Sequence, residues 1–276
     1  MDPVALCDQV DPGEDLADRI RQDRQLHDVS ALVVEGEADQ RTLDGLLDNV
    51  DHRTFIAGSR PYVLRAAAVC SARGIDRVAC VADRDFDGAA LSNSIPCLVF
   101  TDNGDLEAML FFSPALDRVI AQFASAALSW SGGIPGLRTK VSTLLEPISK
   151  LRRANAAGGW ELPFAKVGLG GFVTASGALN ASAYCQALVG RGGRAALAAV
   201  AGALSAKPCV CPRTNLPLLC GHDAMHASAL TLQRGGLRSP PSWGTLEKAL
   251  RVAVRVSDIA TTGFWGELVS LMAGGV

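Results

Sequence analysis

In roughly the first 112 residues, short apolar runs alternate with stretches whose apolar positions recur at helical spacing. That alternation predicts βα units and a mostly parallel sheet. Ala31 to Val34 (ALVV) predicts a buried strand, and Ala38 to Leu47 a helix with Leu43, Leu46 and Leu47 on one side. Thr54 to Ala57 predicts a second strand, stopped by Gly58. A helix from Arg60 to about Arg73 follows, with Gly74 as its C-terminal stop. The third strand, Arg77 to Ala82 (RVACVA), runs directly into Asp83. The fourth, Cys97 to Thr101 (CLVFT), ends before Asp102 and leads through Asn103-Gly104 to a helix starting near Asp105. Beyond Phe112 the pattern changes to longer Ala- and Leu-rich helical stretches broken by Gly and Pro clusters, with a break near Ser113-Pro114. The expected organisation is an N-terminal extension (1–28), an α/β core (29–112) and a C-terminal helical subdomain (113–276).

Composition narrows the class. A chain of 276 residues, 49% hydrophobic and 20% charged, can bury a sizeable core. A net charge of -2 gives no overall attraction to nucleic acid, so phosphate binding must come from local patches or bound metal. Aromatic content of 5% argues against an extensive base-stacking platform. The eight cysteines are scattered and the first residues are acidic where a secretory leader would be basic, so the expectation is a cytoplasmic protein with free thiols. The longest strongly apolar stretch, Ala195 to Ala206, falls short of the roughly 20 residues that span a bilayer, and no membrane partner is expected.

In a parallel α/β sheet, ligands bind at the carboxyl ends of the strands. Those positions hold Glu35 with Asp39, then Asp83, Asp85 and Asp87, then Asp102, Asp105 and Glu107. Glu35 and Asp39 are four apart at a strand-to-helix turn and can face one side. On an extended backbone Asp83 and Asp85 also point the same way. Two like charges about 4 Å apart repel by about 4 kcal/mol at an effective dielectric near 20, a penalty that a divalent cation removes. Oxygen ligands with no obligatory His or Cys favour Mg²⁺ or Mn²⁺ over zinc. Asp44, Asp48 and Asp51 are read as solvated or helix-capping acids.

LVVEGEADQRTL followed by VACVADRDFDG resembles the two Toprim signatures, a Glu-Gly turn after one strand and an Asp-x-Asp after a later one. With VFTDNGDLEAML, LRRANAAGGWELPF and LLCGHDAMHASAL, the chain resembles the DUF4435 branch of Toprim proteins, related to OLD-like nucleases, over about Val33 to Leu232. The resemblance implies a Toprim-like fold, metal-dependent phosphodiester chemistry on DNA or structured RNA, tRNA included, and a setting in anti-phage defence beside an ABC- or AAA-type ATPase, as in PARIS-type systems. It implies that Glu35, Asp83 and Asp85 are catalytic, that Asp39 and Glu107 join them as metal ligands, and that Gly221-His222-Asp223 matches a motif of the branch. Arg84, Asp87, Asp105, His222 and Asp223 are then candidates for contacting substrate or supporting the ligands. A homo-oligomer is a further expectation.

Cys209, Cys211, Cys220, His222 and His226 invite a zinc reading, which the Cys-x-Cys spacing weakens. Arg138, Lys140, Lys150, Arg152 and Arg153 form the densest basic cluster, a candidate phosphate contact or a solvated helix face. The alternative to a nuclease is a catalytically idle, Toprim-like regulatory subunit that binds a defence ATPase. No G-x-x-x-x-G-K-[ST] pattern is present, so ATP hydrolysis would have to be supplied by a partner. Tyr62 and Tyr184, the two tyrosines, provide poorly for topoisomerase chemistry.

Overall fold

A computed structural model describes residues 11–86, 95–123, 132–235, 237 and 239–274. Asp87, one of the candidate acids, lies outside the described residues. The chain forms two compact units: one of residues up to 83, 95–101 and 259 onward, the other of 84–86 and 102–258.

The first unit is α/β. Four strands, β1 (Ser30–Val34), β2 (His52–Ile56), β3 (Val78–Ala82) and β4 (Leu98–Phe100), make one all-parallel sheet in the order β2-β1-β3-β4. The inner strands β1 and β3 are buried at every position, which is why they read as continuous apolar runs. Helix α1 (Pro12–Leu26) is capped by Asp11, whose carboxylate accepts from the amides of Gly13 and Glu14. Helices α2 (Glu37–Leu46) and α3 (Arg60–Ala72) are the β1-to-β2 and β2-to-β3 crossovers. They run in opposite directions along the sheet, and right-handed connections then place them on opposite faces. On the α3 face, Ala31, Val33, Val78 and Cys80 share a core with Leu16, Ala17 and Ile20 of α1 and Val63 and Ala66 of α3. The C-terminal helix Gly263–Met272 packs against β1, β3 and β4, and its Met272 carbonyl accepts from the Ser30 hydroxyl at 2.6 Å.

The expected boundaries are corrected at two places. Within the expected extension, residues 11–28 are more than an appendage, since the apolar side of α1 completes the sheet's core. The last residues belong to the α/β unit and not to a helical subdomain, because Phe264, Leu268 and Met272 have their burial there.

The second unit is helical: α4 (Leu106–Phe112), α5 (Pro114–Phe123), α6 (Gly133–Gly158), α7 (Ala181–Gly190), α8 (Leu197–Gly202), α9 (Gly221–Arg234) and α10 (Trp243–Ala253). Helix α9 is its centre, packing against α4, α6 and α10 and burying Ala224, Met225, Ala227, Ser228 and Leu232. Among the described residues, no helix is long and apolar enough to cross a membrane.

Candidate active site

Strand order fixes where chemistry belongs in the α/β unit. From β1 the chain steps outward to β2 and then crosses back to β3 on the other side of β1, so the topological switch point lies between β1 and β3. Crevices outside the carboxyl ends of strands at such a point are where open α/β sheets bind ligands. Glu35 directly follows β1 and Asp83 directly follows β3. The two are brought together: the Asp83 amide donates to the Glu35 carboxylate (Oε1) at 3.0 Å. The Glu35 carbonyl accepts from Gly58 at 3.0 Å, so this residue is held through both backbone and side chain. Asp39 lies in the first turn of α2.

A third residue here was missed in the sequence. Arg60, the first residue of α3, donates from Nε to the Asp83 carbonyl at 2.8 Å, and its guanidinium lies 5.9 Å from the centre of the Phe100 ring. The signal was present, because Arg60 follows a parallel strand and a Gly58-Ser59 turn, as close to the sheet's carboxyl edge as the acids themselves.

The second unit holds the other candidate acids. Asp85 does not continue an extended strand: β3 ends at Ala82, and Asp85 has φ of +48°, with its amide donating to the Gly104 carbonyl at 2.9 Å. The strand alternation expected to align Asp83 with Asp85 therefore does not operate. Asp and Asn tolerate the left-handed region better than other side chains, which lets Asp85 and Asn103 (φ +61°) both turn there. Arg84 is buried, at 5% exposure.

Asp105 bridges two helix starts. Its carboxylate accepts from Ala108 of α4 at 2.8 Å and from Gly221 of α9 at 2.7 Å. Gly221 permits this approach, since a Cβ there would lie 2.3 Å from the Asp105 carboxylate. Burial pushes the Asp105 carboxyl up to about 6, against the opposing pull of these two amides, and the charges of Asp85 and Asp223 add to the rise. A carboxyl whose folded pKa is raised favours the fold fully only below its unfolded value, and that contribution is lost as pH rises through about 6. The expected result is a decline in unfolding free energy between pH 4 and 7, at most about 3 kcal/mol for a shift of this size. An Asp105→Asn variant should lack that slope in denaturant titrations; an identical pH profile in both proteins would remove Asp105 as its source.

The remaining acids are committed to arginines. Glu107, expected among the metal ligands, pairs with Arg251, and both side chains are mostly buried. A carboxylate already neutralised by a guanidinium is a poor claimant on a cation. Asp223 accepts two bonds from Arg152, at 2.7 and 3.0 Å, and Arg152 stacks 4.4 Å above the Phe164 ring. Asp102 is fully buried with Arg213 3.7 Å away. His222 is half-exposed, 3.6 Å from Glu247 and edge-on to Trp243. The basic cluster is also largely occupied: Arg138 donates to the Phe111 and Ser113 carbonyls, Lys150 pairs with Glu146 and Arg153 donates to the Lys207 carbonyl. Cys209 and Cys211 pack in a small apolar cluster with Leu218 and Phe86, while Cys220 is the residue before α9. The seven described cysteines are free thiols.

These positions bear on the expected cation. Among the described residues, no group of three His, Cys, Asp or Glu side chains is gathered so as to hold a metal ion. An all-protein cage is therefore not what these residues offer. Mg²⁺ does not require one, because it keeps several waters and binds through one or two carboxylates. Glu35 and Asp83, each directly after one of two neighbouring strands, are the two carboxylates that could serve in that way. Comparison with protein-family models, with curated proteins and with solved structures finds no match to the chain.

Proposed function

We propose that the chain is a Mg²⁺- or Mn²⁺-dependent phosphodiester hydrolase of the Toprim type, cleaving DNA or structured RNA such as tRNA as the toxic effector of a bacterial anti-phage system. The observation that carries this reading is the meeting of Glu35 and Asp83 at the switch point of a parallel sheet. An acid directly after each of two neighbouring strands is a placement that a cation held at the sheet edge would make rational. Glu35 and Asp83 would hold it. When bound, a divalent cation polarises a phosphoryl oxygen and lowers the pKa of bound water.

The chain's own groups supply the rest. The Asp83 amide orients the Glu35 carboxylate, whose chemistry would be to take or give a proton at the leaving oxygen. Arg60 fixes the Asp83 backbone and brings positive charge to a site meant for a phosphate. With no P-loop in the chain, control by ATP would come from a separate ATPase, and assembly with that partner or with further copies is part of the proposal.

A second reading has one observation in its favour. The absence of a three-ligand metal group among the described residues fits an idle Toprim-like subunit whose role is to bind the ATPase. Incubating the pure protein with plasmid, single-stranded DNA and total tRNA, with and without Mn²⁺, separates the two. The nuclease reading expects Mn²⁺-dependent cleavage of at least one substrate, lost in an Asp83→Ala/Asp85→Ala double variant. No cleavage of any of them, or cleavage undiminished in the double variant, favours the idle subunit or rejects the assignment.

A further inference from the structure

The α/β unit gathers three cysteines that the candidate site does not use. Cys70 of α3, Cys80 of β3 and Cys97, the residue before β4, share one apolar core. Strand register brings two of them together. Cys80 is aligned with Leu98 in the parallel ladder, and its amide donates to the Cys97 carbonyl at 2.8 Å. Neighbouring strands run roughly 4.7–4.9 Å apart, inside the roughly 4.4–6.8 Å between Cα atoms that a disulfide spans. The side chains meet as well, since the Cys80 thiol and the Cys97 sulfur are hydrogen-bonded to each other.

The surroundings give the two sulfurs different parts. The Cys97 thiol has one hydrogen, which it donates to the Ala67 carbonyl at 3.3 Å. The Ser71 hydroxyl, 3.2 Å from the same sulfur, and the Cys80 thiol are therefore donors to it. Donors at a sulfur favour its ionised form. The Cys80 thiol first, with Ser71 adding to it, holds the Cys97 thiol down to about 7 against the opposing effect of burial. Donation to Cys97 and burial raise Cys80 instead, and burial pushes the Cys70 thiol up to about 12. A sulfur inclined to ionise beside one that keeps its proton is the arrangement of an attacking and a resolving cysteine. Exposure follows the same order, with Cys97 at 6% and Cys70 and Cys80 at 0%.

We propose that Cys97 and Cys80 form a reversible modification site that reacts with hydroperoxides and closes to a disulfide. The Cys97 thiolate attacks the O–O bond, keeping one oxygen as a sulfenic acid while the other, once protonated, leaves as water or an alcohol. The Cys80 sulfur then attacks the Cys97 sulfur. An S–S bond forms, the S–O bond breaks, and the hydroxyl departs as water with the Cys80 proton. Together the two thiols lose two electrons and two hydrogens, and the peroxide accepts the same two electrons. The reaction uses no residue of the candidate active site, so it holds or fails apart from the cleavage reading.

Peptide mapping of the full chain after treatment with a few equivalents of hydrogen peroxide and blocking of the remaining thiols tests it. Trypsin places Cys70, Cys80 and Cys97 in three different peptides, because Arg73, Arg77 and Arg84 lie between them. The expected result is loss of most of the free Cys80 and Cys97 peptides, their appearance as one linked pair lighter by two hydrogens, and their recovery with dithiothreitol. Cys80→Ala should leave Cys97 as a sulfenic acid that a dimedone probe captures, Cys97→Ala should leave Cys80 reduced, and Cys70→Ala should still form the bridge. If an alanine variant does not fold, the map of the wild-type chain decides by itself. The proposal is overturned if Cys80 and Cys97 stay reduced under treatment that oxidises a parallel sample of glutathione. It is equally overturned if Cys97 is found linked to Cys70 or to another cysteine, or if Cys80 is oxidised as readily in Cys97→Ala as in the wild type.

Discussion

Glu35→Gln is expected to lower metal-dependent cleavage by at least about a thousandfold, within the range for loss of a proton-transferring or ligand group, while leaving the fold intact. The substitution keeps an oxygen to accept from the Asp83 amide, so the link between the ends of β1 and β3 survives. What it removes is charge. Removing one of two acids that follow neighbouring strands lessens like-charge repulsion when no metal is bound, so the variant should be as stable as the wild type or more so. Binding of Mn²⁺ to the native state should raise the wild-type Tm and not that of the variant. Activity lost together with a collapsed Tm would instead make Glu35 a structural residue. Cleavage retained at wild-type rate would take it out of the chemistry altogether.

The second large effect is on stability. Gly104 has φ of +124°, and a Cβ built there would lie 1.9 Å from the Leu219 carbonyl oxygen. The neighbouring Asn103 carbonyl accepts from Leu219 at 3.0 Å, so the backbone cannot withdraw without breaking that bond. Gly104→Ala thus combines a conformation L residues avoid with a backbone clash, for an expected loss of about 3–5 kcal/mol. That is a large part of the roughly 5–15 kcal/mol that typically holds a domain together. Chemical denaturation measures it, and a loss below about 1 kcal/mol would mean the turn yields easily. Because the Gly104 carbonyl accepts from the Asp85 amide, the variant should also disturb the turn that sets Asp85.

Much of the α/β unit was legible because its strands are buried on both faces. β1 and β3 appear in the sequence as unbroken apolar runs, and the residues after them are where the acids stand. β2, at the sheet's edge, is only partly buried, and its start is displaced from the expected Thr54 to His52. Other features left no local trace. An amphipathic C-terminal helix announces a buried face but not its partner, and Phe264 and Leu268 give no hint that β3 is what they cover. The pairing of Glu107 with Arg251 spans 144 residues, and that of Asp223 with Arg152 spans 71. A charge in a sequence does not name its partner, so acids that looked alike as ligands separate only in three dimensions. The turn at Asp85 was equally silent, since Asp is compatible with extended and left-handed backbone alike.

The central claim is that Glu35 and Asp83 together hold a divalent cation, and Mn²⁺ titration followed by electron paramagnetic resonance addresses it without requiring a substrate. The wild-type chain should remove Mn²⁺ from solution at a site that weakens at least about tenfold in Glu35→Gln and again in Asp83→Asn. Identical Mn²⁺ binding by the wild type and both variants, or no binding by the wild type at millimolar Mn²⁺, would contradict it.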